Sequence, residues 1–429
     1  MFRTSIYLLA FLAAACAPDQ EAASGSIAIN ENASQTENAA DTAAAAIEAR
    51  RESLIAFRRD IHRNPELANE EQRTASKAAG RLRELGFDVT ENIGGYGVIG
   101  VLHGARPGPV VAFRADMDAV RSDAPDPAPF ASERTGIRHI CGHDIHTTIG
   151  LALAEGFAAS RDSLSGSVML VFQPAEETTN GARDMLADGA FDELRPDAIF
   201  AYHTAPPETG VLVTANARLM AARDLVEITI SGSDRNQVIA AEISAALNTL
   251  TNVESPFASQ PEDSDFIHAG PARPRVDSDG AARINAYLSL ATAAASANAE
   301  AGVERIVESA RAGHPDADIT YAYHPSDIPG VVNDTELTRH AVAVARAKLG
   351  QDRVVYSNTI IPSFSEDYGH FLNETPGMMF FLGVSNSEKG WRGMPHSPDY
   401  MADEEAIFIG AETMAAIMVD FLSANQTSE

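Results

Sequence analysis

Apolar residues Ile47, Leu54, Ile55 and Ile61 fall on one face of a helix that Asp41 caps, which predicts a helix over residues 41–63. A second helix is expected over 70–85, where Gly86 stops it. The pattern then changes. Runs of strand-forming residues at 97–103 and 109–113 precede a helix over 145–160, an apolar strand at 167–172, a helix near 182–186 and a strand at 198–203. Strand and helix in alternation predict an α/β fold with a mostly parallel sheet, and ligands of such sheets gather at the carboxyl ends of the strands.

Between about 225 and 323 the order becomes strand, helix (238–252), strand (282–290), helix (300–311), strand (318–323), which reads as a small inserted α+β domain. Its middle, 254–279, is full of Pro, Ser, Asp and Gly and reads as a loop. The α/β pattern resumes with a helix over 334–349, a strand at 378–382 and a closing helix over 403–422. The expected organisation is a discontinuous main domain, 41–222 and 326–425, interrupted by a lid-like domain, 223–325.

With 45% hydrophobic and 21% charged residues in 429, the chain has material for a sizeable core, and disorder throughout is excluded. Lys plus Arg number 32 against 60 Asp plus Glu, and a net charge of −28 with no basic patch argues against nucleic acid and anionic surfaces as partners. Two cysteines, Cys16 and Cys141, make no disulfide framework. Arg3 and the apolar stretch 6–15, too short to span a bilayer, read as a secretory signal. The run Leu12-Ala13-Ala14-Ala15-Cys16 resembles the lipobox of bacterial lipoproteins. That implies a signal over 1–16 and a lipid anchor at Cys16 in the bacterial envelope or periplasm; plain cleavage after an Ala-x-Ala site is the alternative. Residues 17–40 lack an apolar period and read as a disordered tether.

The densest chemistry is His139-Ile140-Cys141-Gly142-His143-Asp144-Ile145-His146, with several metal-ligand types just before a helix and a glycine that permits a tight path. A structural zinc knot would show paired cysteines. A Cys141 nucleophile is a second reading, although Cys-x-His on a tight turn suits mutual hydrogen bonding poorly. Further on, an apolar strand ends in Gln173-Pro174-Ala175-Glu176-Glu177. Two acids there are costly unless they meet cations, and Pro174 must break the strand if both are to face one site. One could bind metal and the other take a proton from water, or both could cap a helix N-terminus. With His203 at a strand end and His396 in Gly393-Met394-Pro395-His396-Ser397, the candidates are Cys141, His143, Glu177, His203 and His396. One thiolate, three imidazoles and one carboxylate suit two divalent ions sharing a bridging group.

The sequence resembles peptidase family M20 in its amidohydrolase branch, subfamily D, which includes hippurate hydrolases and hydrolases of indole-acetyl amino acid conjugates. The likeness runs from about Phe57 to Leu422 through Arg58-Arg59-Asp60-Ile61-His62 with Pro65-Glu66-Leu67, Phe113-Arg114-Ala115-Asp116-Met117-Asp118-Ala119, the Cys141 cluster, Gln173 to Glu177, and Ser365-Glu366-Asp367-Tyr368. The resemblance implies a catalytic domain whose five ligands hold two Mn²⁺ or Zn²⁺ ions, with Glu176 as general base and Asp116, Asp118 and His146 supporting the site. It also implies a lid that can form a homodimer, and hydrolysis of an N-acyl amino acid or short peptide beside a free carboxylate.

Two stretches depart from the family pattern. The lid's glycine-rich turn with its histidine is replaced by Ser231-Gly232-Ser233-Asp234-Arg235-Asn236-Gln237, so Asn236 is the candidate oxyanion donor there, and Asn285 is a loose candidate for the family's lid asparagine. Ala119-Val120-Arg121 replaces a Leu-Pro-Ile run. The expectation is a metal-dependent amidohydrolase or carboxypeptidase, and the competing reading is a weakened metal- or ligand-binding lipoprotein that kept the fold.

Overall fold

The computed structural model describes residues 31–261 and 263–425, so Cys16, the signal and the first part of the predicted tether lie outside the described residues. Helix α1 (Glu31–Ala49) begins inside that tether, and a break at Arg50 separates it from α2 (Arg51–Arg63), where one helix starting at Asp41 was expected. The reason is alanine: a good helix former whose small face gives no strong hydrophobic period. Ala39, Ala43 and Ile47 are buried in the core against the helix His143–Ser160 and the closing helix.

In chain order there follow α3 (Gln72–Glu84), β1 (Asp88–Ile93), β2 (Gly97–His103), β3 (Arg106–Asp116), α4 (His143–Ser160), β4 (Ser165–Gln173), α5 (Gly181–Ala187), β5 (Ala198–Glu208) and β6 (Leu212–Thr214). Then come β7 (Ala222–Ser231), α6 (Asn236–Asn248), β8 (Ile267–Ala269), β9 (Ala282–Leu290), α7 (Ala293–Gly313) and β10 (Asp318–Ile328). The chain closes with α8 (Thr335–Leu349), β11 (Val354–Tyr356), β12 (Gly377–Ser385) and α9 (Glu405–Ala424).

An eight-stranded sheet runs β1-β2-β4-β3-β5-β12-β6-β11. Its centre, β4, β3, β5 and β12, is parallel, while β2 and β6 pair antiparallel with β4 and β12. Helices α1, α3, α4, α8 and α9 contribute to the core on one face, and α5 with the short helix Gly369–Glu374 to that on the other. Burial on both faces is why β4 and β12 read as continuous apolar runs. It also explains α9, apolar nearly all round because it lies inside the core.

The second sheet is antiparallel, β8-β9-β7-β10, with the short strand Arg275–Val276 also on β9. Val226, Ile228 and Ile230 of β7 pack with Ile239, Ile243 and Leu247 of α6 and Val303 and Val307 of α7. Strand β8 lies in the stretch expected to be loop. Its apolar run is too short to show a period, and it is held from outside, with Ile267 N–H donating to the Asn252 side chain at 2.7 Å.

Candidate metal centre

The parallel strands deliver the site at their carboxyl ends. Asp116 ends β3 and Asp118 follows it, β4 ends at Gln173, and β5 carries His203. Between Cys141 and His143 the chain passes through Gly142 at φ 94°, where an added Cβ would stand 2.4 Å from both Thr204 Oγ1 and Tyr400 Oη. Only glycine fits that approach, and it lets Cys141 and His143 share one side of the α4 N-terminus.

Pro174 ends β4, as the two acids require. Ala175 then takes a left-handed conformation at φ 55°, and a tight 3₁₀ turn over Glu176–Thr178 brings both acids to one place. The Asp118 carboxylate accepts from the Glu176 N–H at 3.1 Å and the Glu177 N–H at 2.9 Å. His396, half exposed and at φ 59°, is held by its N–H donating to the Ile140 carbonyl at 2.8 Å.

These turns gather the predicted ligands. Cys141 Sγ is 3.4 Å from His203 Nε2, and His396 Nε2 is 3.2 Å from Glu177 Oε1. Ligand atoms of Cys141, His143 and His203 lie within 4.8 Å of one another, and the same holds for Cys141, Glu177 and His396 and for His143, Glu176 and Glu177. His203 Nδ1 is 2.8 Å from the Thr204 carbonyl, and His143 Nδ1 is 3.2 Å from Asp118. Each partner leaves Nε2 as the nitrogen with a free lone pair. His146 differs: its Nδ1 is 2.6 Å from Asp116, and its Nε2 accepts the Thr204 N–H at 2.8 Å, so both ring nitrogens are committed to orientation.

The fit to a divalent ion shows at His143 Nε2. This buried nitrogen has no hydrogen-bond partner among the described residues, yet oxygens of Asp116, Glu176 and Glu177 stand 3.7, 3.7 and 3.9 Å away. Burial opposes a charge on His143, but Asp116, Asp118 and Glu177 outweigh it and push the imidazole up to about 10. Burial, Glu177 and Glu176 hold the Cys141 thiol well above its usual range. Burial and then Glu366 do the same for the Glu176 carboxyl. Burial and His146 bring His203 down to about 4. A site this rich in buried acids favours a cation, and a bound divalent ion deprotonates a coordinating thiol.

Three supports were not singled out from the sequence as roles. Arg114, fully buried, donates to Gln173 at 2.7 Å, Asp116 at 2.6 Å, Glu366 at 2.8 Å and Asp367 at 3.2 Å. His62 lies between Asp144 at 2.7 Å and Asp126 at 3.1 Å, and Arg58 donates to that same Asp144. Arg223, near the start of β7, donates to the Ser363 carbonyl at 2.8 Å and lies within electrostatic reach of Glu176; its Nε is buried without a hydrogen-bond partner among the described residues. The available signal is an arginine one residue into a strand that soon alternates around Val226, Ile228 and Ile230.

Neither lid asparagine joins the cluster. The Asn236 amide is spent inside the lid, accepting from Ser233 N–H at 3.2 Å and donating to the Gly280 carbonyl at 2.9 Å. Asn285 is exposed on β9, opposite Glu227 of β7. Sequence position alone suggested them. The turn uses the Asn236 oxygen and one of its two amide hydrogens, and the pleat turns Asn285 away from the lid core.

The chain matches the model of Peptidase family M20/M25/M40 over residues 112–420, more than half its length. It is 31% identical over 386 residues to thermostable carboxypeptidase 2 of Saccharolobus solfataricus, covering 86% of this chain and 95% of that protein. It is 30% identical over 383 residues to N-acetylcysteine deacetylase of Bacillus subtilis, covering 85% and 96%. The fold is similar to that of the Bacillus subtilis YxeP protein, described as a dinuclear metal binding peptidase of the M20 family, with TM-score 0.70, 27% identity, and 87% and 99% of the two chains covered. With the motifs, the sheet and the gathered ligands all agreeing with these likenesses, the chain belongs to peptidase family M20/M25/M40 and is a metal-dependent hydrolase of amide or peptide bonds.

Proposed function

We propose that the protein hydrolyses N-acyl amino acids or short peptides at the amide beside a free carboxylate. The observation that carries this is the gathering of Cys141, His143, Glu177, His203 and His396 around Glu176. Those five residues would hold two divalent ions, Mn²⁺ or Zn²⁺. When bound, such ions polarise the scissile carbonyl and lower the pKa of water.

Glu176 supplies the proton transfer: its carboxylate takes a proton from the attacking water and returns it to the leaving nitrogen. Burial and the neighbouring Glu366 and Glu177 raise its affinity for a proton, which suits it to take one from water. Asp118 holds the Glu176 and Glu177 backbone in place, and Asp116 orients His146. Arg223, whose buried Nε has no hydrogen-bond partner among the described residues, would be the cation offered to the substrate carboxylate. A carboxypeptidase and an N-acetylcysteine deacetylase among the relatives support this substrate class.

We also propose anchoring in the bacterial envelope through Cys16, supported by the lipobox-like run, and self-association through the lid, where β10 is an edge strand. Incorporation of labelled fatty acid that Cys16→Ala abolishes tests the first; light scattering of the purified protein tests the second.

The reaction is tested by incubating metal-loaded protein with N-acetyl and N-benzoyl amino acids and dipeptides. Release of free amino acid, lost in Glu176→Gln and on EDTA treatment, is expected. No release across the panel, with about two equivalents of metal bound, would favour a binding protein. Activity that survives EDTA would favour a Cys141 thiol mechanism.

A further inference from the structure

Glu71 is a buried acid with no cation at ion-pair distance among the described residues. Its Oε1 accepts from the Ala175 N–H at 2.8 Å and the Asn69 N–H at 3.0 Å, while Oε2 is buried without a partner among the described residues. Burying a carboxylate on these terms is costly, so its contacts call for a reason. The first contact leads to the acids of the site.

Ala175 is a non-glycine residue at φ 55°, a strained conformation that persists only where the surroundings impose it. On its carbonyl side, Thr178 Oγ1 and the Gly181 N–H donate at 3.2 Å. On its amide side, Glu71 is the acceptor. The next two N–H groups, of Glu176 and Glu177, go to Asp118. Three successive amides are thus fixed by two carboxylates from separate segments.

Asp118 also touches His143, so its effect cannot be separated from that ligand. Glu71 reaches the turn from the start of α3, and its hydrogen bonds go to no proposed ligand side chain. Its own segment is braced. Glu66 accepts from the Arg73 and Thr74 N–H groups at 2.9 and 2.8 Å, and its carbonyl accepts the Ala119 N–H at 2.7 Å, just past Asp118.

We propose that Glu71 is a positioning residue that imposes the left-handed turn at Ala175 and thereby sets how Glu176 and Glu177 face the metal site. The proposal rests on the roles given above to those two acids. It predicts that the accepting oxygen matters and the negative charge does not. Glu71→Leu removes the acceptor at similar volume, and Glu71→Gln keeps an oxygen.

The expected result for Glu71→Leu is metal affinity and kcat each reduced about 10- to 100-fold, with KM within about twofold. Glu71→Gln should recover most of both. Affinity is measured by competition with a chromogenic chelator, and amide hydrogen exchange at Ala175 in metal-free protein is read alongside; it should be faster in the Leu variant. If Glu71→Leu does not accumulate folded, Glu71→Asp, which shortens the reach, gives the same comparison.

A leucine variant with wild-type affinity, kcat and Ala175 exchange, but a lower Tm, would overturn the proposal and leave Glu71 as packing. Failure of Gln to rescue would also overturn it. If the wild-type protein binds metal yet hydrolyses nothing, the functional reading falls while affinity and exchange still judge Glu71. If it binds no metal, exchange alone decides.

Discussion

In β12 every position from Gly377 to Ser385 is buried, whereas β7 alternates, with Val226, Ile228 and Ile230 inward and Glu227 and Thr229 turned away from the lid core. The two sheets therefore treat a polar side chain differently. In the main sheet a charge survives only if fully partnered, as Arg114 is by Asp116, Glu366 and Asp367. In the lid the outer face tolerates many residues, as at Arg283, Asn285 and Thr320. A polar substitution therefore meets fewer demands on the outer face of the lid than inside the main sheet.

The largest effect expected from this contrast is on stability. Arg114→Met strips the cation from a buried group of acids and should cost about 3–5 kcal/mol in denaturant unfolding. A loss below about 1 kcal/mol would mean that the main sheet is as permissive as the lid. Next, Glu176→Gln should lower kcat by about 10² to 10⁴, with bound metal unchanged by elemental analysis. Retained turnover would move the base elsewhere.

Arg223 lies where the two regions meet. Arg223→Met should raise KM about 10- to 100-fold for substrates with a free carboxylate, corresponding to about 1.5–3 kcal/mol for a charged hydrogen bond, and change little for their amides. An equal effect on both would remove its anchoring role. At the small end, Asn285→Ala should change stability by no more than about 0.5 kcal/mol and leave kcat unaltered. Asn236→Ala should cost about 1 kcal/mol through its lost turn bonds, again without loss of kcat. A kcat deficit for either would return that asparagine to the chemistry.

The same contrast explains what the sequence could tell. Long, doubly buried strands such as β4 and β12 declared themselves as apolar runs, and Cys141 to His146 put several site residues within one short stretch. Strands β6 and β11, three residues each, carry too few positions for any period to show. Glu71, Arg114 and Arg223 owe their roles to partners far along the chain: Ala175, Glu366 and the neighbourhood of Glu176. No local spacing encodes such meetings. The true start of helix α1 is hidden from a hydrophobic pattern, because burial of Ala39 and Ala43 leaves almost no trace in it.

The pairing of β5 with β12 spans the whole inserted lid, from Ile199 against Gly377 to Ala205 against Gly383. During synthesis the ribosome must therefore deliver the entire lid before β5, already beside β3, acquires its second neighbour. Until then β5 presents a bare apolar edge, open to mispairing with other chains. The closure entropy of so long a connection makes this joining a late event, and the lid can complete its local α+β core first. Completion of the central sheet thus waits on the segment that follows the lid, which brings β12 to β5 and His396 to the candidate cluster.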